Sequence, residues 1–307
     1  MSLRHEGHRP PRHPQPLPPQ PPEHQHDPHA EPEIIREGYV GTERLAGCNT
    51  LITGGDNGLG RAVAVHFAAE GAAAVGIVYL DERRDAEKTA ALVEAYGATC
   101  IPIPCDVREP ECAEEALEVF RKAAGQKVHV LVNNAAAQRP TDDVEKITLA
   151  QLDEIFRINV YSYFLFTQAA LPHMPGGAAI VNTTSGTAAF GNPRVVEGHA
   201  AWESARGAVV AFTRSLAGQL TGRRIRVNGV APGPIWTPLD AEHVARFGKR
   251  TLMQRAGQPS EVAPSYVFLA SADASYMTGQ VLHPNGGDFA SPDFASPGVM
   301  SPGLMST

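Results

Sequence analysis

Apolar and polar positions alternate along the chain in a way that predicts strands and helices in turn. Short, almost continuously apolar runs are typical of strands buried on both faces of a sheet. They predict strands at residues 48–53, 73–80, 99–104, 128–133, 178–184, 225–230 and 280–284. Longer amphipathic stretches predict helices at residues 59–70, 83–96, 110–124, 149–171, 200–220 and 260–272. This order predicts a single α/β domain with a doubly wound parallel sheet.

Both ends of the chain differ in composition from this alternating region. Residues 1–37 are rich in Pro, His and Gln, and residues 289–307 continue an Asp-Phe-Ala-Ser-Pro repeat that starts at Asp288 and again at Asp293. Repeated proline prevents helices and central strands, so we expect a flexible N-terminal arm and a low-complexity C-terminal tail. The domain is therefore expected at residues 38–288. The histidines of the arm are irregularly spaced, so no metal site is predicted.

Composition and charge argue against several classes of partner. The formal net charge of −7 argues against nucleic acid, because proteins that bind it present a basic face. No apolar run is long enough to span a bilayer, and the polar N-terminal segment does not resemble a secretory signal. We expect a cytoplasmic protein with a small-molecule substrate and neither a nucleic-acid nor a membrane partner. Cys48, Cys100, Cys105 and Cys112 are expected to be free thiols.

A glycine-rich segment joins the first predicted strand to the first predicted helix. It reads Thr53-Gly-Gly-Asp-Asn-Gly-Leu-Gly60, and its glycines follow the spacing Gly-x-x-x-Gly-x-Gly. Glycine lets the backbone approach a pyrophosphate closely, and the N-terminus of the following helix offers free N–H groups and a favourable dipole. The segment therefore predicts a dinucleotide-binding loop.

This glycine spacing resembles that of the short-chain dehydrogenase/reductase family. Further motifs of the family follow in its order: Cys105-Asp-Val107, Asn133-Asn-Ala-Ala136, Asn159, Ser185, Arg226-Val-Asn228, Pro232-Gly-Pro-Ile-Trp-Thr237 and Asn285-Gly-Gly287. The resemblance covers residues 38–287 and implies a Rossmann-type fold. The long arm and the Pro-Gly-Pro-Ile-Trp-Thr motif are most similar to a subgroup of glucose or ribitol dehydrogenases and general stress proteins. The family also implies a homo-oligomer, a dimer or a tetramer, built on the 149–171 and 200–220 helices.

The resemblance implies that a nicotinamide dinucleotide, NAD or NADP, binds to this chain. The expected contacts are Gly54, Asp56, Asn57, Gly58, Leu59, Gly60, Tyr79, Asp106, Val107, Asn134, Ala135, Arg206, Pro232, Gly233, Ile235 and Thr237. An Asp at the end of the second strand favours NAD, whereas a nearby Arg favours NADP. Tyr79 takes that place, and Asp81, Arg83 and Arg84 follow it. Both cofactors stay open, and the two arginines favour NADP.

The chain departs from the family at the catalytic Tyr-x-x-x-Lys motif. The segment at residues 211–217 is similar to the sequence that follows the family's Lys. Counting back from it without a gap puts Trp202 at the Tyr and Arg206 at the Lys. An indole N–H donates a hydrogen bond but does not give up its proton near neutral pH, while Arg206 keeps a positive charge. The expected catalytic set is Ser185, Asn159, Trp202, Arg206 and His199.

His199, three residues before Trp202, is the candidate replacement for the missing proton carrier, because histidine titrates near neutral pH. It shares a face with Trp202 if the helix already includes it, and it faces solvent if it lies at the end of a loop. Glu197 and Glu203 are weaker candidates. Tyr163 is expected to pack in the core.

Three functions are compatible with these features. The first is an atypical enzyme that acts on a small carbonyl or hydroxyl substrate, by reduction or by a redox-neutral step, without the Tyr relay. The second is a non-catalytic dinucleotide-binding or regulatory protein. The third is a conventional NAD(P)-dependent sugar or polyol dehydrogenase. Asn159 and Ser185 favour chemistry in the pocket, and the loss of both Tyr and Lys argues against the third function.

Overall fold

The computed structural model describes residues 31–141, 143–185, 200–237, 244, 247–249 and 251–288. Within these residues, one sheet contains β1 Asn49–Thr53, β2 Ala74–Tyr79, β3 Thr99–Pro104, β4 Val130–Asn133, β5 Ala179–Thr183, β6 Arg226–Val230 and β7 Val281–Leu282. Its order is β3-β2-β1-β4-β5-β6-β7, and every neighbouring pair is parallel. The prediction of a single α/β domain with a Rossmann-type parallel sheet is confirmed.

The helices lie on both faces of this sheet. They are α1 Gly58–Ala69, α2 Arg83–Glu94, α3 Cys112–Ala124, α4 Leu149–Phe156, α5 Ser162–Ala170, α6 Ala200–Leu220 and α7 Pro259–Ala270. The strand order reverses between β1 and β4. In such sheets, ligands bind outside the carboxyl ends of the strands at this reversal.

The strands read as continuous apolar runs because each of them faces two cores. Ile52 and Ile77 belong to the core beneath α1 and α7. Leu51 and Val78 belong to the opposite core, where Phe120 of α3 is fully buried. Successive side chains of a strand point to opposite faces, so a strand buried on both faces needs an apolar residue at nearly every position.

The predicted helix at residues 149–171 is interrupted. A π-helical turn, Arg157–Tyr161, separates α4 from α5, and a 3₁₀ turn, Leu171–His173, follows α5. Asn159 lies inside the π turn, and its Nδ2 donates 2.8 Å to the carbonyl oxygen of Ile155. A π turn disturbs the regular carbonyl ladder, and this side chain satisfies one of the carbonyls.

The described start of the chain, residues 31–47, is anchored against the domain. The main-chain carbonyl of Glu33 accepts from the N–H of Ser260 at 3.0 Å. The carboxylate of Glu70, fully buried at the end of α1, pairs with Arg44 at 2.6 Å. The expected arm and tail fall mostly at residues 1–30 and 289–307, which lie outside the described residues.

Two of the four cysteines are not free thiols. Cys105 and Cys112 are joined by a disulfide, with their Cα atoms 5.7 Å apart. The expectation of free thiols is therefore wrong for this pair, because a short turn returns the chain from β3 to the start of α3. Cys48 and Cys100 are free. Burial raises the pKa of both thiols, to about 12 for Cys100.

Across the described residues, no helix combines the length and apolar character needed to cross a bilayer. The same part of the chain contains no group of His, Cys, Asp and Glu side chains arranged to hold a metal ion.

Candidate active site

The glycine-rich loop between β1 and α1 is shaped by three of its glycines. Gly54 and Gly58 have φ angles of +63° and +49°, in the left-handed region that glycine adopts readily. A Cβ on Gly60 would lie 1.8 Å from the carbonyl oxygen of Gly54, so only glycine fits there. The loop therefore presents bare backbone toward the carboxyl edge of the sheet, as a pyrophosphate requires.

Hydrogen bonds lock this loop to the end of β4. The Oγ1 of Thr53 accepts from the main-chain N–H of Asn134 at 2.9 Å and of Ala135 at 3.0 Å. In return, Nδ2 of Asn134 donates to the carbonyl oxygen of Gly54 at 2.9 Å. The glycine-rich loop and the Asn-Asn-Ala-Ala segment are thus held together by hydrogen bonds at the carboxyl edge of the sheet. Thr53 was not predicted as a site residue from the sequence, although a hydroxyl immediately before the glycines is a usable signal.

Asp56 is the charged residue of the loop, and it is buried. Burial is the largest cause that raises the pKa of its carboxyl, to about 6. Its Oδ2 accepts 2.9 Å from Nδ2 of Asn57, and its main-chain carbonyl accepts 2.8 Å from the guanidinium of Arg61. Arg61 also pairs with Asp85 at 2.6 Å, so the loop is tied to α2 as well.

A cavity of about 420 Å³ lies on one side of the loop, and we call it the adenosine-side cavity. The predicted contacts that line it are Gly54, Asp56, Asn57, Leu59, Gly60, Tyr79, Asp106, Val107, Asn134 and Ala135. The carboxylate of Asp106 is paired with Arg108 at 2.5 Å, and this hydrogen bond lowers the pKa of Asp106.

The charged side chains that follow β2 differ in whether they face the adenosine-side cavity. Glu82 lines the adenosine-side cavity, whereas Arg83 and Arg84 are absent from its described lining. Arg83 is exposed, and its Nε donates 2.8 Å to Glu87 on the next turn of α2. Glu87, one turn away on the same helix, therefore competes with a bound ligand for the guanidinium of Arg83.

A second cavity of about 830 Å³ continues from the first past Asn134, and we call it the nicotinamide-side cavity. The predicted residues that line it are Gly58, Leu59, Asn134, Ser185, Trp202, Arg206, Pro232, Gly233, Ile235 and Thr237. Ser185 follows β5, Trp202 lies on α6, and the Pro-Gly-Pro-Ile-Trp-Thr segment follows β6. These predicted residues therefore line one continuous cleft.

The side chain of Arg206 points into the protein beneath Trp202, toward Tyr163 and β5. Its side chain is 1% exposed, and its Nη1 donates 2.8 Å to both the hydroxyl of Tyr163 and the carbonyl oxygen of Thr183. Its Cζ lies 4.2 Å from the centroid of the indole ring of Trp202. The Nε of Arg206 is buried and has no hydrogen-bond partner among the residues that the structure describes. The indole of Trp202 therefore lines the nicotinamide-side cavity, and the guanidinium of Arg206 stacks against the ring from behind.

Tyr163 packs in the core, as predicted. It is fully buried, its hydroxyl donates 3.1 Å to the carbonyl oxygen of Thr183, and burial raises the pKa of its phenol. It is not among the described residues that line the nicotinamide-side cavity. Tyr163 therefore positions Arg206 and does not face the cleft.

Asn159 supports the wall of the cleft from behind. Its Nδ2 donates 2.9 Å to the carbonyl oxygen of Ala137, and Ala137 lines both cavities. The residue itself is fully buried and is absent from the described lining of either cavity. Of the remaining candidates, Glu203 lines the nicotinamide-side cavity, whereas Glu197 and His199 lie outside the described residues.

Arg139 is a cleft residue that sequence reasoning missed. It lines both cavities, and its guanidinium pairs with Glu154 at 3.0 Å. The available signal was its position in the loop after β4, because loops at this edge of a parallel sheet carry ligand contacts.

Comparison with known proteins agrees with this geometry. A family model described as enoyl-(acyl carrier protein) reductase matches residues 54–288. General stress protein 39 of Bacillus subtilis is 47% identical over 260 residues, which cover 83% of this chain and 89% of that protein. Glucose and ribitol dehydrogenase of Daucus carota is 44% identical over 275 residues, which cover 86% of this chain and 92% of the carrot protein. The crystal structure of a short-chain dehydrogenase from Burkholderia cenocepacia in complex with NADP superimposes with a TM-score of 0.75 at 31% identity, covering 80% of this chain and 98% of the other. The chain therefore belongs to the short-chain dehydrogenase/reductase family, and its relatives include the predicted subgroup.

Proposed function

We propose that this protein binds a nicotinamide dinucleotide and acts on a small carbonyl or hydroxyl substrate without the family's Tyr proton relay. The reaction is either a carbonyl reduction or a redox-neutral step in the same pocket. The observation that carries the proposal is the pair on α6. Trp202 faces the nicotinamide-side cavity, and Arg206 is stacked behind it with its Nη1 turned toward β5.

Binding of the dinucleotide is supported by the shape of the cleft. Gly54 and Gly60 stand at loop positions where a Cβ would meet neighbouring backbone, and the N-terminus of α1, which follows, favours a phosphate. When bound, the dinucleotide supplies the hydride donor or acceptor for a redox step. The residues of the proposed pyrophosphate contact are Gly54, Asn57, Gly58, Leu59 and Gly60.

We propose NADP(H) as the tighter ligand. The NADP complex of the Burkholderia protein supports this choice. Arg83 is also available, because its pair with Glu87 is exposed and such pairs hold a guanidinium weakly. Asp56 and Glu82, which line the adenosine-side cavity, act in the opposite direction by repelling a 2′-phosphate. Tighter binding of NADH than of NADPH would reverse this part of the proposal.

The chemistry available at the α6 pair is hydrogen bonding and positioning. The indole N–H of Trp202 orients a substrate oxygen together with the hydroxyl of Ser185, but it cannot serve as an acid or a base near neutral pH. Arg206 supplies positive charge behind the indole and does not deprotonate. In this proposal, proton transfer falls to His199 or to water, and the substrate needs a carbonyl that reacts without a strong general acid.

Non-catalytic dinucleotide binding is the second candidate. It is favoured by the inward bonds of Arg206, since Nη1 is occupied by Tyr163 and Thr183. A protein that only senses or stores the dinucleotide needs no proton carrier at all.

A titration followed by a turnover panel separates these candidates. NADPH and NADH are titrated while nicotinamide fluorescence is followed, and turnover is then measured with a panel of carbonyls and polyols, including glucose and ribitol. Binding with turnover of reactive carbonyls supports the atypical enzyme. Binding without any turnover supports the second candidate, and efficient oxidation of glucose or ribitol points to a conventional dehydrogenase. The absence of binding refutes all three.

His199 is tested on the same assay. If it carries the proton, His199→Ala lowers turnover by about 10² or more and leaves the affinity for the dinucleotide unchanged. His173→Ala is the matched control, because His173 lies in the turn that follows α5 and is absent from the described lining of both cavities. Equal turnover of the His199 variant and the native protein would remove His199 from the mechanism.

We also propose a homo-oligomer, a dimer or a tetramer, built on α4, α5 and α6. Exposed apolar side chains on α4 and α5, among them Leu152 and Phe164, support an interface there. Light scattering on the purified protein tests it, and a monomer at micromolar concentration would contradict it. The expected cytoplasmic location stays a prediction.

A further inference from the structure

The turn between β3 and α3 holds two cysteines on either side of cleft residues. Cys105 follows the last residue of β3, and Cys112 is the first residue of α3. Between them, Asp106 and Val107 line the adenosine-side cavity, and Cys105 lines it too. The Cα separation of 5.7 Å lies in the ordinary range for a disulfide, and the two sulfurs are bonded.

We propose that Cys105 and Cys112 form a reversible redox site that controls the affinity for the dinucleotide. The inference rests on the proposed binding of the adenosine part of the cofactor in this cavity. The disulfide closes a ring that contains Asp106 and Val107, so the redox state of the pair sets the geometry of one cavity wall.

The chemistry is the two-electron oxidation of a dithiol by a peroxide. Cys105, the less buried of the two, loses its thiol proton, and the thiolate attacks one oxygen of hydrogen peroxide. The O–O bond breaks, a sulfenic acid forms, and the departing hydroxide takes up that proton to become water. The thiol of Cys112 then attacks that sulfur, the S–S bond forms, the S–O bond breaks, and a second water leaves. A dithiol reductant reverses the process through a mixed disulfide.

Reduction changes the cavity wall because the two sulfurs are not equally free to move. Breaking the bond forces them apart, since two thiols cannot occupy the space of a bonded pair. Cys112 is 3% exposed and packs in the core beneath α3, so it stays in place. The movement falls on Cys105 and on Asp106 next to it, whose carboxylate is held by the partly exposed Arg108.

Because Cys105 moves on reduction while Cys112 stays in place, reduction is expected to weaken the affinity for the dinucleotide. In the oxidised protein the wall is already ordered in the shape that forms the cavity. In the reduced protein, binding must order at least one further residue, which weakens the affinity by about tenfold. By linkage, the bound dinucleotide protects the disulfide from reduction by the same factor.

The other two cysteines provide matched controls. Cys48 and Cys100 are free and lie outside the adenosine-side cavity among the described residues. Burial raises the pKa of each thiol, so neither forms a thiolate readily near neutral pH.

The test compares the full chain in two redox states. The protein is oxidised with hydrogen peroxide or reduced with a phosphine, freed of reagent, and checked by mass spectrometry for the loss of two hydrogens across Cys105 and Cys112. NADPH and NADH are then titrated by fluorescence. We expect the reduced protein to bind about tenfold more weakly. Cys105→Ser is expected to bind like the reduced protein under both conditions, while Cys100→Ser keeps the redox response.

Two results would overturn the proposal: equal affinities in two states that mass spectrometry has verified, or failure of peroxide to form the disulfide. Either leaves the proposed function intact as long as the dinucleotide binds. The absence of binding in both states refutes the proposed function together with this inference, so the two failures are distinguishable.

Discussion

Replacing Tyr163 by Phe tests whether this buried hydroxyl positions Arg206. The variant removes an oxygen that accepts 2.8 Å from Nη1 of Arg206 and donates 3.1 Å to the carbonyl oxygen of Thr183. Hydrogen bonds to charged groups contribute about 1.5–3 kcal/mol, and neutral ones about 0.5–1.5 kcal/mol. Since Nη1 keeps its bond to Thr183, we expect the free energy of unfolding to fall by about 2 kcal/mol.

Tyr266→Phe is the matched control. Tyr266 is equally buried, but its hydroxyl bonds 2.7 Å to the neutral Oγ1 of Thr183. We expect the free energy of unfolding of that variant, measured in urea at pH 7, to be lower by about 1 kcal/mol. Turnover, where it exists, should depend on Tyr163 only through the position of Arg206, so the pH profile of Tyr163→Phe should match that of the native protein. A Tyr163→Phe loss no larger than that of Tyr266→Phe would refute this account of the Arg206 site.

Three further predictions concern the anchor of α1, the glycine loop and Asp56. Burial by itself would raise the pKa of Glu70, but hydrogen bonds from Arg and Tyr side chains and from the main chain lower it from 4.5 to about 2. Each unit of pKa difference corresponds to about 1.4 kcal/mol. Glu70→Gln should therefore lower the free energy of unfolding, measured in urea at pH 7, by about 3 kcal/mol. The exposed Glu87→Gln should show no measurable loss, and the Glu70 difference should vanish as the pH falls from 4.5 toward 2. Gly60→Ala should abolish dinucleotide binding in calorimetry, because its Cβ would lie 1.8 Å from the carbonyl oxygen of Gly54. Gly58→Ala, whose Cβ would meet no atom of the described residues within 4 Å, should lower the free energy of unfolding by about 1–2 kcal/mol, the cost of its left-handed backbone. The affinity for the dinucleotide should rise as the pH falls through 6, because burial raises the pKa of Asp56 to about 6 and protonation removes a negative charge beside the phosphates. Asp56→Asn should remove this pH dependence of the affinity.

The fold followed from the sequence because strands buried on both faces leave a strong apolar signal. The predicted strand at residues 73–80 and the observed β2 Ala74–Tyr79 differ by one residue at each end. The glycine loop was also predictable, since its spacing reflects backbone positions that admit no side chain. Asn159 was predicted to be a catalytic residue, and its side chain supports the wall of the cleft from behind. The π turn around it was not predicted, because hydrophobic periodicity does not reveal a single widened turn.

Side-chain direction was the part of the site that sequence could not give. Arg206 was expected to contact the cofactor, and it lines the nicotinamide-side cavity from α6. The inward direction depends on the carbonyl of Thr183 and the hydroxyl of Tyr163, which only the packed structure places within 2.8 Å. The disulfide was missed for a similar reason, since the path of the turn between β3 and α3 decides whether two cysteines meet.

Restoring the family's Tyr-x-x-x-Lys motif on α6 tests whether Trp202 and Arg206 replace its proton relay. The rate of carbonyl reduction with saturating dinucleotide is measured for the native protein and for the Trp202→Tyr, Arg206→Lys double variant. Arg214→Lys, an exposed substitution on the same helix, serves as the control. We predict a gain of about 10² or more for the double variant and no change for the control, because a positioned proton donor contributes about 10²–10⁴ in rate. A native rate that the double variant lowers or leaves unchanged, with dinucleotide binding intact, would contradict the claim.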